Sequence, residues 1–359
     1  MRLALVIEYD GTGYHGFQYQ ENAPSVQEEL EAAIERLTGV RPRIKGAGRT
    51  DAGVHAAGQV AAFDTESALP PETFVRGMNH YLPDDIAVRA AHRVADDFDP
   101  RRHALARAYR YTVLNLATRS PLTRRRALQV EEPLDVAAMN EAAQAFVGVH
   151  NFARFSGPLE REEASTVRQV FAASVRRGEY PSPFGPSAEG PKASPARGEE
   201  EVDTPLTPST SLGQALVPTP VGTGLTPFDL AQGRLEGRGN DFGGGGPGAA
   251  ARAKGEDEAH PSDGAPQDGT IISIDFEGNA FLPHQVRRMA GALVDVGKRR
   301  LATDDIMGML EGRPDGPVAN TLPPQGLCLM EVRYGGFPPT RNEERNDASK
   351  KLQPTGVRT

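Results

Sequence analysis

Ten consecutive residues, Gly46-Ala47-Gly48-Arg49-Thr50-Asp51-Ala52-Gly53-Val54-His55, put a cation, a hydroxyl, a carboxylate and an imidazole among three glycines. Glycine lets a backbone turn sharply and lets a ligand come close to it. An arginine beside a carboxylate favours the charged form, which a nucleophile or a general base requires. Asp51 is therefore the first candidate for chemistry in the chain. The same ten residues also fit a glycine-rich β-turn in which Asp51 caps the local backbone, and local chemistry alone does not separate the two readings.

Other chemistries lack their residues. The eight histidines are scattered, with no H-E-x-x-H pair, and a single cysteine, Cys328, excludes a thiolate cluster and an internal disulfide. Cys328 sits in the apolar run Leu327-Cys328-Leu329-Met330, which reads as a buried thiol in a protein of the reducing cytoplasm. There is no G-x-S-x-G elbow and no P-loop. Gly11-Thr12-Gly13-Tyr14-His15-Gly16 matches G-x-G-x-x-G after a strand. A dinucleotide site needs a helix to open at once, and here the helix begins only after Pro24. The acid pairs Asp84-Asp85, Asp96-Asp97 and Asp304-Asp305 read as turn and helix-start residues. Arg287 and Arg288 fall in the first turns of a helix expected over 281–297, where the helix dipole disfavours cations. Either an anionic partner compensates there or the pair is simply solvated.

Several elements must carry these residues. Residues 3–9 read as a strand ended by Asp10-Gly11. Ser25-Val26-Gln27-Glu28 predicts a capping box, with Val26, Leu30, Ala33, Ile34 and Leu37 on one helical face and Gly39 at its end. Residues 41–45 read as a short basic strand into the motif, and Val60-Ala61-Ala62-Phe63 as a strand after it. A helix follows over 71–80 on Phe74, Val75 and Met78, then a strand at 86–88. Residues 107–114 alternate, with Arg107, Tyr109, Tyr111 and Val113 on one face. Asp135 predicts the cap of a helix over 136–147, stapled by Leu134 against Met139 and closed by Gly148. Strands are expected at 167–175, 270–276 and 327–334, and Thr303 is expected to cap a short helix to Leu310. The β-α-β order of the first 90 or so residues predicts an α+β, ferredoxin-like layer with helices on one face of an antiparallel sheet.

Charge and composition divide the chain. Its 359 residues allow a sizeable core, but residues 178–269 are about one-third glycine and proline and read as a low-complexity insertion without the apolar content to order itself. That segment holds 14 acidic and 6 basic residues, which accounts for the net charge of −8 and leaves the rest of the chain neutral, with room for a basic face. The simplest organisation is an N-terminal half over 1–100, a second half over 101–177 and 270–335, the insertion in place of a hairpin turn, and a flexible tail over 336–359. A long loop is tolerable there because closure entropy rises only logarithmically with length. The N-terminus is too short and too soon acidic for a signal peptide, and no apolar run is long enough to span a membrane.

Assembled, these residues closely resemble the tRNA pseudouridine synthase A family. The match comprises Tyr9-Asp10-Gly11, Tyr14-His15-Gly16-Phe17-Gln18, Ser25-Val26-Gln27 and, most specifically, Gly48 to His55 with Gln59-Val60. It continues through Leu82-Pro83-Asp84-Asp85-Ile86, Phe98, Ala108-Tyr109-Arg110-Tyr111, Asn151-Phe152, Phe281-Leu282-Pro283-His284-Gln285-Val286-Arg287 and Gly326-Leu327. The pieces run in order over 3–334, and the insertion is the departure, since the family usually has a tight turn there.

The resemblance implies an isomerase without cofactor or metal that converts uridine to pseudouridine in the tRNA anticodon stem-loop, at positions 38, 39 and 40. It also implies a homodimer of chains with two similar α+β halves, joined in one extended antiparallel or mixed sheet with a central basic cleft. Asp51 matches the catalytic aspartate, Arg287 the arginine that pairs with it, and Tyr109 the tyrosine that contacts substrate. Without the resemblance, Tyr109 reads as one of a cross-strand aromatic pair. Arg49 is a second electrostatic or base-flipping residue, His55 is left as structural, and Arg41, Arg43, Lys45, Arg107 and Arg110 are candidate phosphate contacts. The acidic insertion is then either a passive loop or an RNA mimic competing for the cleft. Two rival readings remain: a non-catalytic RNA-binding protein on the same sheet, and a nucleoside glycosidase, for which no second carboxylate is evident near Asp51.

Overall fold

In the computed structural model the described residues are 1–159, 164–179, 270–313 and 317–336. The expected insertion (but for its first two residues) and the expected tail from Phe337 onward lie outside them. Among the described residues ten strands form one mixed sheet: β1 Arg2–Tyr9, β2 Lys45–Gly46, β3 His55–Asp64, β4 Ile86–Val94, β5 Ala106–Asn115, β6 Leu128–Val130, β7 Gly148–Asn151, β8 Val167–Glu179, β9 Thr270–Gly278 and β10 Leu327–Arg333. Five α-helices among the described residues accompany it: α1 Val26–Thr38, α2 Pro71–Tyr81, α3 Val136–Ala143, α4 Gln285–Gly297 and α5 Thr303–Leu310. The α+β expectation is met.

Strand order is β4-β1-β3-β10-β5-β9-β8-β7, with β2 added beside β3 and β6 beside β5. The last strand is the join. β10 lies antiparallel to β5 and parallel to β3, where Cys328 faces His55 and Leu329 faces Ala56. The register puts Leu3, Leu5, Ile7 and Tyr9 on the same face as Leu329, Tyr109, Tyr111, Phe276 and Ile274. That face is covered by Leu30, Ile34, Phe74 and Met78 in one half and by Met289, Leu293 and Phe146 in the other, in one continuous core. Alternation of buried and less buried residues along β5 follows from the period-2 geometry of a strand.

Local chemistry sets most element ends. Ser25 accepts the Glu28 N–H at 3.3 Å, and Gly39 closes α1 in the left-handed conformation at φ 78°. Asp135 caps α3 by accepting the Ala138 N–H at 3.0 Å. The hairpin expectation also holds, since β8 and β9 pair antiparallel out to Glu179 opposite Thr270.

Several strands run longer than expected, as at Ile86–Val94 and His55–Asp64, and four other boundaries differ. The 41–45 segment is not a strand except at Lys45–Gly46, because Pro42 lacks the N–H a ladder needs. The helix expected over 136–147 stops at Ala143 and tightens into a 3-10 turn over Gln144–Phe146. Thr303 is the first helical residue of α5 and not its cap: Ala302 holds that place, and its N–H is satisfied by Asp305 at 2.8 Å. The helix expected over 281–297 opens only at Gln285, after a turn that ends with His284 in the left-handed region.

Candidate active site

The Asp51 loop, between β2 and β3, is held from several sides. Arg107 donates to Ala47 O at 2.9 Å, Gln59 to Gly48 O at 3.0 Å and the Phe17 N–H to Thr50 O at 3.2 Å. The Gly53 N–H reaches Tyr14 O at 3.1 Å, and the hydroxyls of Thr50 and Tyr9 share a buried bond of 2.8 Å. Burial raises the Tyr9 hydroxyl well above its ordinary pKa, so it enters that bond as a neutral phenol. The turn needs its glycine at 53, where φ is +76°. Gly11 matters for a different reason: a Cβ there would overlap the Val54 carbonyl. The residues that mimic a dinucleotide fingerprint thus brace the Asp51 loop, and that is their use here.

Two cationic or protonatable groups meet Asp51 from the start of α4. Arg287 Nη1 lies 3.5 Å from Asp51 Oδ2 while its Nε donates to Leu322 O at 2.6 Å. His284 Nε2 lies 3.6 Å from the same oxygen. Arg288 turns elsewhere, to Thr321 Oγ1 at 3.0 Å and to Ser156 O. Of the two readings for this arginine pair, Arg287 has its anionic partner.

Tyr109, Arg49, Thr50 and Phe281 line the same small cleft as Asp51, His284 and Arg287. The Tyr109 ring stands edge-on to Phe281, with centroids 5.4 Å apart at 86°. Burial pushes its phenol up to about 12, with the nearby Arg107 pulling the other way, so it is neutral at physiological pH. The four residues singled out in the sequence therefore come together at one cleft, over the strands where β10 joins the two sides of the sheet.

A basic groove adjoins it, lined by Phe17, Gln27, Arg43, Lys45, Arg49 and Arg101. Arg49 lines both. The buried Glu31 shapes the groove by accepting from Gln27 Nε2 at 2.7 Å and the Ile44 N–H at 3.0 Å, with Arg43 3.4 Å away. Lys45 is tied to Asp99. Burial disfavours the Asp99 carboxylate, but its bonds to Lys45 and to the Arg101 and Arg102 N–H groups outweigh that and hold it at about 2.

Two candidate phosphate contacts do not survive. Arg107 is buried and spends its guanidinium on the carbonyls of Asn279 at 2.6 Å, Ala47 at 2.9 Å and Arg101 at 2.8 Å. Arg110 points to the other face of β5 and is clamped by Asp275 at 2.7 and 3.1 Å. Period-2 alternation predicted the face of each but could not show these partners. His55 is structural as expected, buried between the Gly11 N–H at 3.1 Å and Gln325 O at 3.2 Å. Cys328 is half-buried, and burial pushes its thiol up to about 11, which keeps it unreactive.

A family model described as tRNA pseudouridine synthase matches residues 5–101 and 244–335, more than half of the chain. The chain belongs to the tRNA pseudouridine synthase family. A tRNA pseudouridine synthase A from Myxococcus xanthus is 35% identical over 340 residues, covering 95% of this chain and 94% of its own. One from Roseiflexus sp. (strain RS-1) is 36% identical over 334 residues, covering 92% and 90%. Another, from Geobacter sp. (strain M21), is 33% identical with 92% and 98% covered. For this pseudouridine synthase family member, sequence reasoning gave no role to His284 or Arg101. His284 stood inside the quoted Pro283-His284-Gln285 segment, but its closeness to Asp51 depends on a backbone turn that periodicity does not reveal. Among the described residues no helix is long and apolar enough to cross a membrane.

Proposed function

We propose that this protein isomerises uridine to pseudouridine in tRNA, with Asp51 as the reacting carboxylate and no cofactor. The observation that carries the reading is the meeting of Asp51, Arg287 and Tyr109 at one cleft in a chain of this family. The reaction breaks the N1–C1′ bond and forms a C5–C1′ bond while the uracil stays bound; C5 loses a proton and N1 gains one. A carboxylate serves this by attacking C1′, by attacking C6 of the base or by removing a sugar proton. Arg287 orients it through a charge-assisted contact. Tyr109 offers a ring for stacking on the extruded base and a neutral hydroxyl that donates and does not act as a base.

The target uridines lie in the anticodon stem-loop, at positions 38, 39 and 40, and the enzyme works as a homodimer in the cytoplasm. Arg43, Lys45, Arg49 and Arg101, in the groove beside the cleft, hold the RNA backbone by charge and shape. Arg49, which lines both the groove and the cleft, presses on the target nucleotide as it leaves the stack. The deciding assay incubates the enzyme with unmodified tRNA and separates the nucleosides. Pseudouridine formed by the wild type and lost in Asp51→Asn supports the reading. Released uracil indicates a glycosidase, and neither product indicates a binding protein.

A further inference from the structure

We propose that His284 is a positioning residue for the Asp51 carboxylate, donating from Nε2 to Oδ2 beside Arg287; this rests on the isomerase reading above. Three observations carry it. His284 holds φ 60°, one of two non-glycine residues in the left-handed region among those described. Strain of this kind persists where the surrounding structure has a use for it. Helix capping does not explain the imidazole, because the side chain makes no cap bond to α4, and asparagine or glycine would suit that backbone better.

The second observation is the seat for the ring. A Cβ on Gly157 would stand 2.9 Å from His284 Nδ1 and 3.1 Å from its Cγ. The Gly157 N–H in turn donates to Pro283 O at 2.8 Å, fixing the turn against that glycine. The third is the convergence on one oxygen. His284 Nε2 at 3.6 Å and Arg287 Nη1 at 3.5 Å both face Asp51 Oδ2, and neither contact uses Oδ1. Arg287 is itself anchored by Leu322 O at 2.6 Å. An anchored guanidinium and an imidazole seated against Gly157, both facing one oxygen, fix the plane of the carboxylate and leave the other oxygen for the substrate. The His284 and Asp51 side chains are still 37% and 34% exposed. Substrate binding covers them and shortens a contact that is long in the free enzyme.

His284→Asn and His284→Gly accept the left-handed backbone, so both fold. In each, kcat for pseudouridine formation falls by about 10- to 100-fold while KM for tRNA stays within about two-fold. Free imidazole restores part of the lost kcat in His284→Gly and none in His284→Asn. A purely structural role predicts full activity in both variants, and that result overturns the proposal, as does a loss confined to KM. Independently of turnover, the imidazole nitrogen resonances of His284 shift in Asp51→Asn, and their constancy overturns it too. A wild type that forms no pseudouridine counts against the isomerase reading, while the resonance comparison still decides the contact.

Discussion

Asp51→Asn keeps the size of the side chain and removes its charge, so it separates chemistry from packing. Pseudouridine formation is expected to fall by about 10³-fold or more, with tRNA affinity in a filter-binding assay within about three-fold. Tyr109 divides into a ring and a hydroxyl. Tyr109→Phe keeps the edge-on contact with Phe281 and loses only the donor; kcat drops by about 10- to 100-fold with little change in KM. Tyr109→Ala raises KM as well, because the stacking surface is gone. Steady-state kinetics on the two variants check both statements. The residue types at these sites were legible because carboxylate, guanidinium and phenol announce their chemistry. The spending of Arg107 on three backbone carbonyls was not, since its acceptors lie as far away as Asn279.

At the scale of elements, the Asp51 loop is only as well placed as the segments that brace it. Gly11→Ala drives a methyl into the Val54 carbonyl and is expected to cost about 2 kcal/mol or more, read as a lower urea midpoint, together with reduced activity. The Asp99–Lys45 link between the 95–105 connection and β2 gives an acid-sensitive contribution. Asp99 is depressed from 3.8 to about 2 in the folded protein. Its stabilisation is therefore present above pH 3.8 and lost as pH falls through about 2, below which both states are protonated. Thermal melts across that range show a smaller acid loss in Asp99→Asn than in the wild type. Caps such as Ser25 and Gly39 were readable from residue type. The start of α4 was not, because Phe281 and Leu282 continue the apolar pattern; Pro283, which disfavours helix at the residue before it, was the available signal.

Across the whole molecule, β10 enters between β3 and β5 and brings Leu327 into the same cleft as Asp51. If the groove cations hold the RNA backbone as proposed, tRNA affinity is expected to fall as salt rises, each phosphate contact adding about 0.7–0.9 to the slope of log K against log salt. Arg101→Ala lowers that slope by about one contact and spares kcat, as binding titrations at several salt concentrations will show. Replacing 180–269 with a two-residue turn closes the hairpin next to the Glu179–Thr270 pair, and the protein is expected to fold. Unchanged tRNA affinity identifies the insertion as passive, whereas tighter binding identifies it as a competitor for the groove.

The amino-acid sequence by itself determined the chemistry on offer, the amphipathic faces and most caps, because these depend on neighbours within a few residues. It also determined the family, through motifs spread in order along the chain. Only the tertiary structure decided which of those groups meet. Arg287 and Asp51 are 236 positions apart, and the distance between them is set by the junction of β3, β10 and β5 and the turn before α4. Only the tertiary structure packs a guanidinium, an imidazole and a phenol around the Asp51 loop. Periodicity reports which face a side chain occupies, while long-range packing determines what stands opposite.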